Sequence, residues 1–328
     1  MSINKYQNYI DKILISTCYK DFHIVDFDEK IIKKYEITNS YIYVGTHKLY
    51  RIRATRDIQN PYKIIHKGEL GGYIEKEDNL DPYDESWIES EVHLCDNSKV
   101  KDFAYLSGNI TLFSNSIISD NVSIFADGEI QIFGNTHIYE NAKLQNKNFE
   151  NIKIHESNIF GTSNILKNSF IFNSYISDSL IDGNIEIVNS NINSSSISDN
   201  SKIINSVIND LADIEDNSYI NNSKIFGSLI FGNASIKNTN IAFGSFGNNA
   251  NIRSKDDYLY ISNFKNNPII FYKDVSGDIC VSHCRYNGCL IKFKDTLKFK
   301  DRSERDRFDW MLDFVKSYFQ IMSRSSVF

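Results

Sequence analysis

Between Ile88 and Ile124 an aliphatic residue returns every six positions, and no other feature of the sequence is as regular. The members of this series are Ile88, Leu94, Val100, Leu106, Leu112, Ile118 and Ile124. A second series of mostly small or β-branched residues comes four places after each: Val92, Ser98, Ala104, Ile110, Ser116 and Val122. A period of six fits neither an α-helix nor the two-residue alternation of a hairpin strand. It predicts short parallel strands separated by corners.

Three such strands would close one turn of a coil in about eighteen residues, with the aliphatic side chains inside and parallel-sheet hydrogen bonds between turns. Asn and Gly suit the tight corners between these strands, because both residues tolerate the left-handed backbone conformation. Corner pairs include Asp96-Asn97, Gly108-Asn109 and Asp120-Asn121. The sequence therefore predicts a mainly β protein, a three-sided parallel β-helix, with an α+β cap at each end.

The repeat continues with shorter steps in the second half of the chain. The residues Ile154, Ile171, Ile187, Ile203, Ile220 and Ile236 are separated by 17, 16, 16, 17 and 16 positions. Three sides per turn are thus kept with shortened corners, and Ile187, Ile203, Ile220 and Ile236 should form one inward column. From Ile88 to Ile252 we expect about ten turns and a length of about 45 to 50 Å.

Residues 145–151 interrupt the repeat with more chain than a six-residue step can absorb. We expect a projecting loop there, and loops on rigid scaffolds often bind partners. The predicted binding loop consists of Asn146, Lys147, Asn148, Phe149 and Glu150.

The flanking segments read as caps, since an uncovered coil would expose a sheet edge at each end. Before the coil, the pattern predicts an amphipathic helix within 3–18 and a hairpin from Tyr41 to Ile58 that turns at Gly45-Thr46. Gly71 and Gly72 are interpreted as a turn leading to the first strand. These assignments give an N-terminal cap at 1–85 and a β-helix at 86–255.

The C-terminal cap, 256–328, is predicted to be a small antiparallel sheet followed by a helix. Strands are expected near Tyr258, Ile269 and Ile279, and the last one, 289–293, follows a turn at Asn287-Gly288. Ser303 is the predicted helix N-cap, with Asp306 in the capping-box position.

Composition argues against two classes of partner. The 328 residues contain 36 Lys and Arg against 42 Asp and Glu, and no basic stripe runs through the repeats, so nucleic-acid binding is not expected. The N-terminus lacks a signal sequence and no long apolar run occurs, so we expect a cytoplasmic protein without a membrane partner.

The five Cys are an odd number spread over a long chain, which argues against a disulfide framework.

Two stretches support a resemblance. The segment GELGGYIEKEDNL at 68–80 and the run from Phe271 to Phe293, with its Cys-Arg-Tyr-Asn-Gly-Cys core, resemble a family of phage and prophage proteins built as hexapeptide-repeat β-helices. Members are labelled acyltransferase-like or polymer-forming. Hexapeptide coils are best known from left-handed acyltransferases, so a left-handed coil is expected here.

Acyltransferases of this type use one His as general base, and His93, His137 and His155 lie in or beside the repeats. A base needs a positioned partner and a substrate cleft, and the sequence shows neither. Among the three, His137 and His155 are the better candidates because they flank 145–151. No Lys or Arg residues gather near them for the phosphates of an acyl-CoA, so no cofactor is predicted.

Cys280, Cys284 and Cys289 are the candidates for a metal site, with His283 between the first two. Their spacings lack the C-x2-C element of zinc sites. A strand would place Cys280 and Cys284 on one face and His283 on the other. The sequence therefore favours free thiols and predicts no metal.

Two functions remain open. The first is a non-enzymatic binding protein of phage or prophage type, whose rigid coil engages a protein partner or assembles as a dimer or trimer. The second is an acyl-CoA-dependent acyltransferase that uses one of the repeat histidines as general base.

Overall fold

The computed structural model of the protein describes residues 32–146 and 149–325. The helix predicted within 3–18 lies outside the described residues. Strands make up 51% of the structure and helices 12%, and the parallel strands stack in about ten turns. The predicted mainly β fold, a parallel solenoid, is therefore confirmed, and its handedness stays a prediction.

The N-terminal cap begins with the predicted hairpin. Its strands are β1 (Tyr35–Val44) and β2 (His47–Ala54), and Gly45 takes a left-handed φ of 59° in the turn between them. The cap continues with β3 (Ile58–Asn60), β4 (Lys63–Ile65), β5 (Leu70–Ile74) and a 3₁₀ turn at Glu77–Asn79. β2 pairs antiparallel with β5, so the hairpin covers the first edge of the coil.

The coil is built from short strands that pair in parallel with the corresponding strands one turn away. They are β6 (Trp87–Ile88), β7 (Val92–Leu94), β8 (Lys99–Val100), β9 (Tyr105–Leu112), β10 (Ile117–Ile118), β11 (Ser123–Phe133), β12 (His137–Ile138), β13 (Lys143–Asn146), β14 (Ile152–His155), β15 (Asn158–Phe160), β16 (Asn164–Leu166), β17 (Ser169–Phe172), β18 (Tyr175–Ser177), β19 (Leu180–Gly183), β20 (Ile185–Val188), β21 (Asn191–Asn193), β22 (Ser196–Asp199), β23 (Lys202–Ile204), β24 (Val207–Asn209), β25 (Asp213–Ile214), β26 (Tyr219–Asn221), β27 (Lys224–Phe226), β28 (Leu229–Ile230), β29 (Ser235–Lys237), β30 (Asn240–Ala242), β31 (Ser245–Phe246) and β32 (Asn251–Ile252). Two sides of the coil merge into a 21-stranded sheet and the third side is a 9-stranded sheet.

Three inward columns of aliphatic residues fill the coil. The first column, in register from turn to turn and fully buried, is Ile74, Leu94, Leu112, Ile132, Ile154, Ile171, Ile187, Ile203, Ile220, Ile236 and Ile252. This confirms the predicted stacking of Ile187, Ile203, Ile220 and Ile236. The second column runs from Ile88 to Phe246, and the third from Leu80 to Ile241.

The coil starts earlier than the predicted boundary at residue 86. Ile74 already pairs with Leu94, and Leu80 forms a bridge with Val100. The expected turn at Gly71 and Gly72 is also wrong, because both lie within β5. A Cβ at Gly71 would come within 2.7 Å of the Trp87 ring, so close packing of the first turn explains the glycine there.

Side-chain ladders hold the corners together. Outside, each Asn amide donates to the next along Asn168, Asn184, Asn200, Asn217, Asn233 and Asn249. Inside, a buried hydroxyl accepts a backbone N–H from the following turn along Ser157, Ser174, Ser190, Ser206, Ser223 and Thr239. The hydroxyl bonds satisfy corner backbone N–H groups that the sheets leave unpaired, whereas the Asn bonds join side chains of successive turns.

The C-terminal cap contains a four-stranded antiparallel sheet and two helices. The strands are β33 (Tyr258–Phe264), β34 (Asn267–Lys273), β35 (Ile279–His283) and β36 (Tyr286–Cys289), after a 3₁₀ turn at Lys255–Asp257. The helices are α1 (Leu290–Thr296) and α2 (Arg302–Ser325). α2 covers the sheet with Phe308, Leu312, Val315 and Phe319. No helix in the described ranges is both long and apolar enough to cross a membrane.

Three local predictions in this cap are wrong. The last turn lies at Cys284-Arg285, where Cys284 has a φ of 53°, and Asn287-Gly288 belongs to β36. Residues 290–293 are helical, because Leu290 and Phe293 are buried at a helical spacing. The N-cap of α2 is Asp301 rather than Ser303, since its carboxylate accepts the N–H of Glu304 at 2.8 Å.

Candidate interaction surface

A line of aromatic side chains runs along the outside of the 21-stranded sheet. We call Phe113, Phe133, His155 and Phe172 the aromatic strip. Their ring centroids are separated by 6.2 Å, 5.5 Å and 5.2 Å in that order. Each residue directly follows a member of the first inward column, so the pleat turns it outward. The strip is therefore one continuous row of contacting rings produced by the repeat.

The strip continues into aliphatic and then polar residues. Phe172 is in register with Val188, and Val188 with Ile204. Beyond Ile204 the same outward position holds Asn221 and Lys237. From Phe113 to Ile204 the run of aromatic and aliphatic residues crosses five sheet spacings, or about 24 Å. Half-buried aromatic groups of this kind are typical of binding surfaces.

A second aromatic group lies on the 9-stranded sheet. The rings of His137 and Tyr139 stack at 4.4 Å, and Tyr139 stacks on Phe160 at 5.0 Å. Tyr175, one turn beyond Asn158, is 55% exposed. Aromatic surface is thus present on more than one side of the coil in its N-terminal half.

His137 has a hydroxyl partner. Its Nε2 lies 3.0 Å from Oγ of Ser119, one turn earlier. Burial, with a smaller effect of the positive charge of Lys101, lowers the pKa of His137. The imidazole is accordingly neutral near pH 7 and holds a lone pair that can accept a proton.

His93 and His155 have different surroundings from His137. His93 Nδ1 lies 3.4 Å from Oγ1 of Thr111, and burial lowers the pKa of this His. His155 Nε2 lies 3.7 Å from a carboxylate oxygen of Glu156, and its ring belongs to the aromatic strip. Because His137 lies on the 9-stranded sheet and the other two on the 21-stranded sheet, the three histidines do not form one site.

The predicted binding loop is only partly a surface feature. Asn146 is buried, and its side-chain oxygen accepts the N–H of Asp127 at 3.0 Å. Asn146 therefore connects the start of the 145–151 segment to the coil by a hydrogen bond and is not an exposed binding residue. Phe149 is 85% exposed with a φ of 59°, and Glu150 is half-buried. Lys147 and Asn148 lie outside the described residues.

The candidate Cys residues do not converge. Cys280 and Cys289 face each other in the β35–β36 pair, whereas Cys284 lies at the hairpin turn, about 13 Å further along the strand. Cys284 is exposed, with its Sγ 3.5 Å from Nε2 of His283. Burial raises the pKa of the Cys280 thiol to about 11. These residues are separate thiols and not a metal ligand set.

A different cluster, which the sequence did not predict, is formed by His47, Glu75 and Asp96. One ligand atom from each lies within 4.8 Å of the other two, the one such group in the ranges 32–146 and 149–325. The cluster depends on the pairing of a hairpin with the coil, which no spacing in the sequence reveals. The aromatic strip was detectable, since an aromatic residue follows Leu112, Ile132, Ile154 and Ile171.

The fold and its surfaces define the protein as a capped parallel β-solenoid. No protein-family model matches the sequence, and no curated protein matches it. The resemblance to phage hexapeptide-repeat proteins thus stays a prediction.

Proposed function

We propose that this β-solenoid is a non-enzymatic interaction protein that binds a protein partner through the aromatic strip. The observation that carries the proposal is the continuous, outward row of rings from Phe113 to Phe172 on a rigid sheet. Large aromatic groups held by the backbone lose little conformational entropy on binding and bury much apolar area. Origin from a phage or prophage, suggested by the sequence resemblance, is part of this proposal.

The change of chemistry along one outward column supports this location. The positions of Phe133 and Phe172 are equivalent to those of Asn221 and Lys237 further along the coil. The backbone is the same at all four, so only the side chains distinguish a binding region from a polar one. This equivalence also supplies a matched control.

The test uses the full chain as bait for proteins of the cell that produces it. We compare the parent with Phe133→Ser/Phe172→Ser and with Asn221→Ser/Lys237→Ser. The strip variant should lose the captured protein, because the aromatic area is removed, while the control variant retains it. A second copy of the chain is detected separately by sedimentation velocity of the purified protein.

Capture that is equal in both double variants would contradict the role of the strip. Loss in both would also contradict it, because a polar region of the same column would then matter as much. Equal melting temperatures of the three proteins establish that any loss is not due to unfolding.

A second candidate function is acyl transfer with His137 as general base. It is favoured by the neutral imidazole of His137 held 3.0 Å from Ser119 Oγ beside an aromatic ring. Calorimetry with acetyl-CoA tests it. Micromolar binding, together with turnover that falls about a hundredfold or more in His137→Ala, would replace the first proposal with this one.

A further inference from the structure

A His, a Glu and an Asp from three separate segments meet at the N-terminal end of the coil. His47 begins β2, Glu75 follows β5 directly, and Asp96 occupies the corner after β7 with a φ of 56°. We propose that these three residues bind a divalent metal ion, with Zn²⁺ the ion best suited to one imidazole and two carboxylates. This inference does not depend on the proposed function.

The distances between the ligand atoms match a zinc site. Zn–N and Zn–O bonds of about 2.0 to 2.2 Å in a tetrahedron place ligand atoms about 3.3 to 3.6 Å apart. Nδ1 of His47 lies 3.1 Å from Oε2 of Glu75 and 3.6 Å from Oδ1 of Asp96. An ion can therefore be bound with small rotations of the two carboxylates.

Backbone groups already orient both carboxylates. Oδ2 of Asp96 accepts the N–H of Ser114 at 2.9 Å, which leaves Oδ1 toward His47. Oε2 of Glu75 accepts the N–H of Asp96 at 2.6 Å. The His47 ring packs edge-on against Phe113, with centroids 6.2 Å apart. Such surrounding contacts restrict the ligand side chains and increase metal affinity.

The site is also accessible from solvent. The side chains of His47, Glu75 and Asp96 are 25%, 33% and 38% exposed, so an ion can enter and a water can serve as fourth ligand. The two carboxylates neutralise the dication. A bound ion would link the β1–β2 hairpin to the first turns of the coil and so hold the cap over the sheet edge.

Calorimetric titration of the metal-stripped full chain with ZnCl₂ tests the site. His47→Gln and Glu75→Gln each remove one ligand while keeping a similar shape, and each should lower Zn²⁺ affinity at least tenfold. His66→Gln is the control, since His66 lies in the same cap, is 70% exposed and is not in the cluster. It should bind Zn²⁺ like the parent.

Melting curves with and without ZnCl₂ give a second readout. The parent and His66→Gln should gain thermal stability from Zn²⁺, because the ion binds the folded cap, and His47→Gln should not. Equal melting without metal confirms that the variants fold. Failure of the parent to bind Zn²⁺, or unchanged binding in His47→Gln, would overturn the proposal; the latter result would place the ion at other residues.

Discussion

Truncation of Ile203 tests the inward column most sharply. Ile203 is fully buried and lies in register between Ile187 and Ile220. The change Ile203→Ala removes three carbons, which at about 0.8 kcal/mol each is about 2.4 kcal/mol of lost burial. A residual cavity of about 60 Å³ adds about 1.5 kcal/mol at about 24 cal/mol per Å³. The turns cannot close around it because the sheet hydrogen bonds fix their spacing.

We therefore expect Ile203→Ala to lower the free energy of unfolding by about 4 kcal/mol, measured by urea denaturation followed by circular dichroism. Ile203→Asn should cost more, since it also buries an amide without partners. The control is Ile204→Ala, because Ile204 is the same residue type turned outward and half-exposed. It should cost about 1 kcal/mol or less. Equal losses for Ile203→Ala and Ile204→Ala would refute the inward column.

Three further predictions follow from side chains around the coil. Ser190→Ala should lower the free energy of unfolding, measured by urea denaturation, by about 1 to 3 kcal/mol, because the buried N–H of Ser206 loses its acceptor. An effect near zero would show that the inner ladder of hydroxyl groups contributes nothing to stability. Cys284 is exposed and should react with iodoacetamide before Cys280 and Cys95, because burial raises the thiol pKa to about 11 for Cys280 and to about 12 for Cys95. Peptide mapping after timed quenching checks this order. Burial lowers the pKa of His137 in the folded state, so the free energy of unfolding should fall as the pH drops below about 6.5. If the unfolding free energy of His137→Gln depends on pH as steeply as that of the parent, this prediction is contradicted.

The repeat made the interior predictable. A column of Ile at a nearly constant step fixes both the period of the coil and the side that each residue faces, as Ile187 to Ile236 show. The start of the coil was missed because the step from Leu80 to Ile88 is eight residues (88 − 80) and breaks the six-residue period. Gly71 there reflects contact with Trp87, which sequence alone cannot distinguish from a turn.

Sites were less predictable than strands. Asn146 looked like a loop residue, yet its amide lies within the coil and binds backbone groups across one turn. The His47 cluster forms only because β2 pairs with β5, and β5 with β7. Register between a hairpin and a coil depends on packing rather than on any local spacing, so the three ligands carry no recognisable motif.

Photo-cross-linking from within the aromatic strip tests the central claim most directly. A benzophenone amino acid replaces Phe172 in one full-length protein and Asn221, from the same outward column, in another. Irradiation in the producing cell should give one discrete protein adduct from position 172 and none from position 221. The same adducts from both positions, or an adduct from position 221 alone, would contradict binding through the strip.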